Sequence, residues 1–259
     1  MRRIFLLWLI YTGLLSITQS YASTSESDSS LRVLRGSLAK LYWAEEEVLN
    51  ISEMFKGDHY CHQNATEKTF KERAADASIL HLATHALIDD EHPMYSKLVF
   101  TPDTTSDEDG FLNTYELYNM DLNADLVVLS ACNSGYGRLV KGEGVMSLAR
   151  GFTYAGCPSI VMSLWQVDDE STSLLMQKFY ENLDRGMKKD RALTMAKRAM
   201  IKSEGGAKSG PFYWAGFVST GNTDPVPVRP NHYKYLWFVL PAALIIGLVI
   251  VLKIKRTYV

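Results

Sequence analysis

Apolar and polar residues follow two recurring patterns along the middle of the chain. Short apolar runs bounded by turn-forming residues predict buried strands, which cover residues 78–86, 97–101, the start of 126–135, 160–165 and 213–220. Apolar residues at helical spacing predict helices at residues 45–55, 65–75, 114–119, 143–155, 171–183 and 190–201. Because strands and helices alternate, we expect an α/β fold with a largely parallel sheet flanked by helices, and we place residues 97–101 in that same sheet.

The amino-terminal end shows a membrane-directed pattern instead. Arg2 and Arg3 precede a long apolar run, and small residues follow near Ala22, so residues 1–22 predict a secretory signal peptide. An uncleaved signal anchor is the alternative interpretation. Residues 23–40 begin with a polar stretch, and we expect them to be a flexible lead-in to the folded domain.

A second membrane-directed segment lies near the carboxyl terminus. Residues 235–252 contain no charged residue and are long enough to cross a bilayer as a helix. A proline-rich linker, residues 223–234, precedes them, and a basic tail, residues 253–259, follows. Because basic residues favour the cytoplasmic side, we expect a single-pass protein of the inner membrane, with its folded domain outside the cytoplasm and its carboxyl terminus inside. A buried core helix is the alternative for residues 235–252.

Composition narrows the function classes. The net charge of -2 argues against a nucleic-acid partner attracted by bulk electrostatics. The three cysteines, Cys61, Cys132 and Cys157, are too few for a disulfide framework and form no paired motif of the kind that binds zinc. We therefore expect no metal, no cofactor and at least one free thiol.

Two residues with catalytic potential end two of the predicted strands. His85 ends the apolar run that starts at residue 78, and Cys132 follows the run that starts at residue 126. If these strands are neighbours in a parallel sheet, both side chains reach one crevice at the sheet edge. A histidine can take the proton of a thiol near neutral pH, so the pair predicts a nucleophilic dyad. The backbone N–H groups of Cys132 and Ala86 would then form an oxyanion hole.

Two other interpretations of these residues stay open. Cysteine and histidine are also found packed in protein cores, so His85 and Cys132 are alternatively two unrelated core residues. The other alternative is a metal site formed by His81, His85 and Cys132, although the segment lacks the helical spacing and the acidic partner of zinc-binding helices. We expect His81 to be a hydrogen-bonded core residue.

Several long motifs, taken together, carry a resemblance to one family. In order and spacing, the chain resembles the CHAT domain, a caspase-like cysteine peptidase family related to separase, through the segments ILHLATHA, GFLNTYELYNMDLNADLVVLSACNSG, GEGVMSLARGFTYAGCPSIVMSLWQVDDESTSLLMQKFY and PFYWAGFVSTG. The resemblance assigns a CHAT-like domain to residues 41–222. It implies a caspase-type fold in which His85 is the general base and Cys132 the nucleophile of peptide-bond hydrolysis.

The resemblance also bears on the residues around this pair. The family usually has glycine where this chain has Ala86, so a backbone shape that favours glycine would be strained here. A Trp-x-Val-x-Asp element of the family ends at Asp169, which makes Asp168 or Asp169 a candidate wall for a basic P1 side chain of the substrate. A cap of the following helix is the alternative for these two acids.

The resemblance finally implies partners. The expected function is that of a membrane-anchored cysteine endopeptidase that hydrolyses a protein or peptide substrate, under the control of an activating partner protein. The alternative is a catalytically inactive, caspase-like adaptor that binds a partner at the membrane.

Overall fold

A computed structural model of the 259-residue chain describes residues 3–8, 38, 41–55, 57–130, 132–133, 143–202 and 207–227, of which 3–8, 132–133, 143–144 and 207 are described by their backbone alone. Its strands and helices are β1 (Arg3–Trp8), α1 (Ala44–Met54), β2 (Gly57–Cys61), α2 (Glu67–Arg73), β3 (Ala77–Ala83), β4 (His85–Leu87), β5 (Lys97–Val99), β6 (Phe111–Asn113), α3 (Thr114–Leu117), β7 (Leu126–Leu129), β8 (Cys132–Asn133), α4 (Glu143–Tyr154), β9 (Ser159–Ser163), α5 (Asp169–Asp184), α6 (Lys189–Lys202) and β10 (Phe217–Gly221). Short 3-10 turns cover His62–Asn64, Ala74–Asp76, Pro93–Tyr95, Ala207–Ser209 and Pro211–Tyr213.

A six-stranded main sheet runs through the middle of the domain in the order β10-β9-β7-β3-β1-β2. All neighbouring strands are parallel except β10, which pairs antiparallel with β9. Every residue of β3, β7 and β9 is buried, as expected for parallel strands that are covered on both faces. The largely parallel α/β sheet predicted from the sequence is therefore confirmed.

The sheet separates two apolar cores. Side chains alternate between the two faces along each strand, so Leu80 and Leu82 of β3 belong to one core while Ile79 and Ala83 belong to the other. The first core contains apolar residues of α2, α3 and α4. The second contains apolar residues of α1, α5 and α6.

Local sequence explains where two of the helices begin. The Thr66 hydroxyl accepts a hydrogen bond from the backbone N–H of Thr69 at 3.1 Å, which caps α2. Before α3, Asn113 and Glu116 form a reciprocal capping box, and the Glu116 carboxylate accepts from the Asn113 N–H at 2.8 Å.

A second, four-stranded sheet has the order β6-β5-β4-β8. The prediction that residues 97–101 join the main sheet is wrong, because Lys97–Val99 pairs antiparallel with β4 and β6 in this second sheet. The apolar pattern of this segment indicates a buried strand but carries no information about its partner. A hairpin with β4, which has already left the main sheet, decides the pairing.

Strand β1 lies within the predicted signal peptide. Its backbone pairs in parallel with β2 on one side and with β3 on the other. A run of large apolar residues is typical both of a signal peptide and of a parallel strand buried on two faces, so the sequence pattern suits either structure. In this fold, cleavage after residue 22 would remove a strand from the interior of the main sheet.

The other predictions for the chain ends have no counterpart among the described residues. Within the part of the chain that the structure describes, no helix is both long enough and apolar enough to cross a membrane. The predicted membrane span at residues 235–252 and its basic tail lie outside the described residues, as do most of the lead-in at residues 23–40 and most of the linker.

Proline at position 6 tests whether β1 is part of the sheet. Leu6→Pro removes a backbone N–H from the middle of this strand, so we expect it to lower the free energy of unfolding by at least about 1 kcal/mol, the net value of one backbone hydrogen bond. Thr12→Pro, beyond the end of the strand, is the control. Thermal unfolding of the two variants and the unaltered chain measures the effect, and equal unfolding temperatures for all three would contradict the strand.

Candidate active site

The register of the parallel strands places His85 opposite Cys132. In the main sheet, β3 pairs with β7 so that Ile79 lies beside Leu126. Further along, β4 pairs in parallel with β8, and His85 lies beside Cys132. The step from 79 to 126 equals the step from 85 to 132, so the two strands leave the main sheet together and keep one register.

This pairing brings the two backbone positions close together at a particular edge of the fold. In-register residues on neighbouring strands are about 4.8 Å apart. Both residues follow the carboxyl ends of main-sheet strands, the edge at which α/β sheets bind ligands. The His85 side chain is only 3% exposed, so its imidazole lies in a largely dry environment.

One residue connects the strand of the main sheet to the strand that carries His85. Strand β3 ends at Ala83 and β4 begins at His85, so Thr84 belongs to neither sheet. Thr84 is fully buried, and its hydroxyl donates a hydrogen bond to the backbone carbonyl of Val99 in β5. Thr84 is not among the site residues predicted from the sequence, although its position as a polar residue inside an apolar run is a signal that points to it.

The residue after the histidine has an ordinary backbone conformation. Among the described residues other than glycine, only His62 has a positive φ, at 53°. Ala86 therefore does not have the strained backbone that is expected where a glycine is usual at this position. It lies beside Leu98 of β5 and Asn133 of β8, so its N–H points along the second sheet toward one of these strands.

An apolar cavity lies behind the strand that carries His85. Its volume is about 10 Å³, room for about one water molecule. Its lining residues are Ala86, Ile88, Leu98, Leu129, Val145, Leu148, Met162 and Ser163. Because side chains alternate along a strand, Ala86 and Ile88 face this cavity while His85 faces away from it. The cavity is therefore not a pocket for a substrate side chain next to His85.

Asp168 and Asp169 both bind the amino-terminal end of a helix. Asp168 caps α5, because its Oδ2 atom accepts hydrogen bonds from the backbone N–H of Ser171 at 2.9 Å and from the Ser171 hydroxyl at 2.8 Å. Asp169 instead accepts a hydrogen bond from the Trp43 N–H, at the start of α1, at 2.7 Å. Helix amino termini favour negative charge. These contacts engage carboxylate oxygens that a basic P1 side chain would need.

Burial makes Asp169 an unusually weak acid. It raises the pKa of this carboxyl from an ordinary 3.8 to about 6, and the negative charges of Glu47 and Asp168 act in the same direction. The hydrogen bond from Trp43 N–H opposes them by favouring the ionised form.

His81 is the hydrogen-bonded core residue that the sequence predicts. Its Nε2 lies 2.8 Å from the Glu47 carboxylate, and its Nδ1 lies 3.1 Å from the Tyr180 hydroxyl. All three side chains are buried, and burial raises the pKa of Tyr180 well above its usual range. The group joins α1, β3 and α5 inside the second core.

One acidic cluster in the described part of the chain has the spacing of metal ligands, but it surrounds a lysine. Carboxylate oxygens of Glu67, Glu108 and Glu116 lie within 4.8 Å of one another. The Lys71 ammonium is 2.7 Å, 2.6 Å and 2.9 Å from the three carboxylates in that order. The lysine supplies the positive charge, so the cluster links α2 to α3 and to the loop before β6.

Comparison with known proteins identifies one family model and several distant relatives. The model described as the CHAT domain matches residues 17–222. Tetratricopeptide repeat protein 28 of Mus musculus and that of Homo sapiens are each 28% identical over 210 residues, a match that covers 69% of this chain and 8% of either relative. The chain thus spans less than a tenth of the length of these curated relatives.

Solved structures with a similar chain course are more distant in sequence. The Arg-specific cysteine proteinase gingipain R is 12% identical, with a TM-score of 0.44 over 75% of this chain and 44% of its own. A protein from Geobacter sulfurreducens is 18% identical, with a TM-score of 0.39 over 72% of this chain and 86% of its own.

Asp169→Asn should make the stability of the domain less dependent on pH between about pH 4 and pH 6. Because the pKa of this carboxyl is about 6 in the folded protein against an ordinary 3.8, the native state holds a proton in this window that the unfolded chain has lost. The free energy of unfolding therefore decreases as pH rises through the window. Asparagine has no such proton, and chemical denaturation at several pH values measures the difference.

Asp169→Ala is the matched control, because it also removes the acceptor of the Trp43 N–H. Relative to Asp169→Asn, we expect it to cost about 1 kcal/mol of stability across the whole pH range, as loss of a helix cap does. An asparagine variant whose stability follows the same pH curve as the unaltered domain would contradict the raised pKa.

Proposed function

The chain belongs to the CHAT domain family, and from this premise we propose that it is a caspase-like cysteine endopeptidase in which His85 and Cys132 hydrolyse peptide bonds of a protein substrate. The observation that carries the proposal is the register of the second sheet, in which His85 of β4 lies beside Cys132 of β8. A base and a nucleophile on adjacent strands satisfy the first requirement of a dyad, because their separation is set by the backbone.

In the proposed mechanism, the His85 imidazole takes the proton of the Cys132 thiol, and the thiolate attacks the carbonyl carbon of the scissile peptide. The backbone N–H of Cys132 stabilises the oxyanion. The N–H of Ala86, the second donor expected from the sequence, points along the second sheet toward β5 or β8. The imidazolium then gives its proton to the leaving amine as the C–N bond breaks, which leaves a thioester on Cys132. Water, deprotonated by His85, hydrolyses this thioester and restores the free thiol.

The other two thiols are poor nucleophiles, which supports the assignment to Cys132. Burial raises the pKa of Cys61 to about 11 and that of Cys157 to about 12. Since the thiolate is the reactive form, these raised pKa values leave both residues with little thiolate near neutral pH.

Control by a partner and membrane anchoring are further parts of the proposal. In the relatives named for tetratricopeptide repeats, the segment matching this chain is a small part of a much longer protein. We propose that a partner protein governs the activity of this chain and that residues 235–252 anchor it in the inner membrane.

Reporter fusions test the proposed membrane orientation. A reporter fused after Val259 should be cytoplasmic and one placed at Pro227 should be exported. The reverse result would place the domain in the cytoplasm.

Covalent labelling tests the proposed dyad. We expect a peptide with a thiol-reactive group and Arg or Lys at P1 to modify the full chain at Cys132, as detected by mass spectrometry. Cys132→Ala should abolish this adduct, and His85→Ala should slow it at least about 100-fold, the usual contribution of a general base. Cys61→Ser is the control and should label at the unaltered rate.

The same experiment separates the peptidase from the inactive adaptor. Labelling of Cys132→Ala as fast as the unaltered chain, or of His85→Ala at an unchanged rate, would contradict the dyad. A folded chain that reacts with no peptide electrophile would favour the adaptor.

Asp168→Asn and Asp169→Asn test these two acids as the P1 wall. The labelling rates with P1 Arg and with P1 Leu are compared in each variant, because only a direct contact makes the loss of labelling rate selective for Arg.

A further inference from the structure

We propose that Thr84 is a positioning residue for the dyad: the hydrogen bond from its hydroxyl to the Val99 carbonyl holds His85 beside Cys132 where the chain passes from one sheet to the other. This inference rests on the proposed function, because it concerns the reactivity of the same two residues. It assigns a role to a residue that touches neither the substrate nor the thiol.

The position of Thr84 makes it the junction between the two sheets. Strand β3 is held on both sides within the main sheet, by β1 and β7. Strand β4 is held on both sides within the second sheet, by β5 and β8. The single residue between them sets the direction in which β4 continues, and His85 is the first residue of β4.

The hydrogen bond of Thr84 acts on the strand next to His85. Its acceptor, Val99, follows Leu98 in β5, and Leu98 is the ladder partner of Ala86. The hydroxyl bond and the ladder pair therefore attach the chain to β5 at two successive points, one on each side of His85. A displacement of the His85 backbone away from β5 has to disrupt one of these two attachments, and β8 with Cys132 pairs with β4 on its other side.

The chemistry of threonine suits this role. The Thr84 side chain is fully buried, so water cannot replace the Val99 carbonyl as the acceptor of its hydroxyl. A buried hydroxyl without an acceptor is costly, which favours keeping this hydrogen bond. A β-branched side chain is also restricted at χ1, which keeps the hydroxyl directed at one acceptor. Because reactivity between two groups depends steeply on their separation, a small shift of β4 has a large effect on the dyad.

Thr114 provides a matched comparison for a purely structural role. It is also fully buried, and its hydroxyl donates to the backbone carbonyl of Ser96 at 2.9 Å. It begins α3 and is not part of β4 or β8. Loss of either hydroxyl should therefore cost similar stability, but only the loss at Thr84 should alter Cys132.

The test is the pH profile of Cys132 alkylation by iodoacetamide in the full chain, followed on the peptide that contains Cys132 by mass spectrometry. The variants are Thr84→Val, which keeps the shape without the hydroxyl, Thr84→Ser, which keeps the hydroxyl, Thr114→Val and His85→Ala. Thr84→Ala is the second hydroxyl-free variant, to be used if Thr84→Val does not fold. Thermal unfolding of each variant is measured in parallel.

We expect Thr84→Val to slow alkylation of Cys132 at pH 7 about tenfold and to move the midpoint of its pH profile upward by roughly one unit, toward that of His85→Ala. Thr84→Ser should stay within about twofold of the unaltered rate, because the hydrogen bond is kept. Thr114→Val should unfold at a lower temperature while its alkylation profile stays unchanged.

Three results would overturn the inference in distinguishable ways. If His85→Ala shifts the profile but the hydroxyl-free Thr84 variants do not, the positioning role is wrong while the dyad stands. An equal shift in Thr114→Val would reject the role as well, because it would trace the effect to general loss of stability. If His85→Ala leaves the profile unchanged, the dyad fails, and with it both the proposed function and this inference.

Discussion

The parallel register between β3 and β7 is the constraint on which the proposed site depends. Both strands are buried on both faces, so each side chain is committed to one of two apolar cores. A slip by one residue would exchange the faces of every side chain in a strand, which such packing does not tolerate. Because β4 and β8 continue the same register, the packing of aliphatic residues also determines which residue lies beside His85.

Polar contacts inside the second core also hold its helices against the main sheet. They require polar groups to be removed from water, which costs free energy. The buried group of Glu47, His81 and Tyr180 joins a helix, a central strand and a second helix. Leaving a buried polar group without its partner typically costs about 1–3 kcal/mol, because the group has been removed from water without compensation. Asp169 attaches the start of α5 to the start of α1 in a similar way, and its raised pKa reflects the desolvation that this contact requires. These contacts fix helices around the strand that leads to His85.

The family assignment and the local geometry answer different questions. Membership of the CHAT family supports the proposed roles of His85 and Cys132, because the matched residues 17–222 include both. It says less about specificity, since Asp168 and Asp169 have contacts of their own with helix ends. A fold can be shared while the site that it carries differs, so any P1 preference of the proposed peptidase depends on the side chains of this chain.

The sequence by itself determined the α/β class, the helices on both sides of the sheet, and the two strands that end near His85 and Cys132, because burial and periodicity are local properties of a chain. Only the tertiary structure decided that Lys97–Val99 belongs to a second sheet, that Arg3–Trp8 pairs within the main one, and that Thr84 lies at the junction between them. An apolar run encodes that a strand is buried but not which strand will lie beside it. Pairing between distant segments is settled when all the elements pack at once.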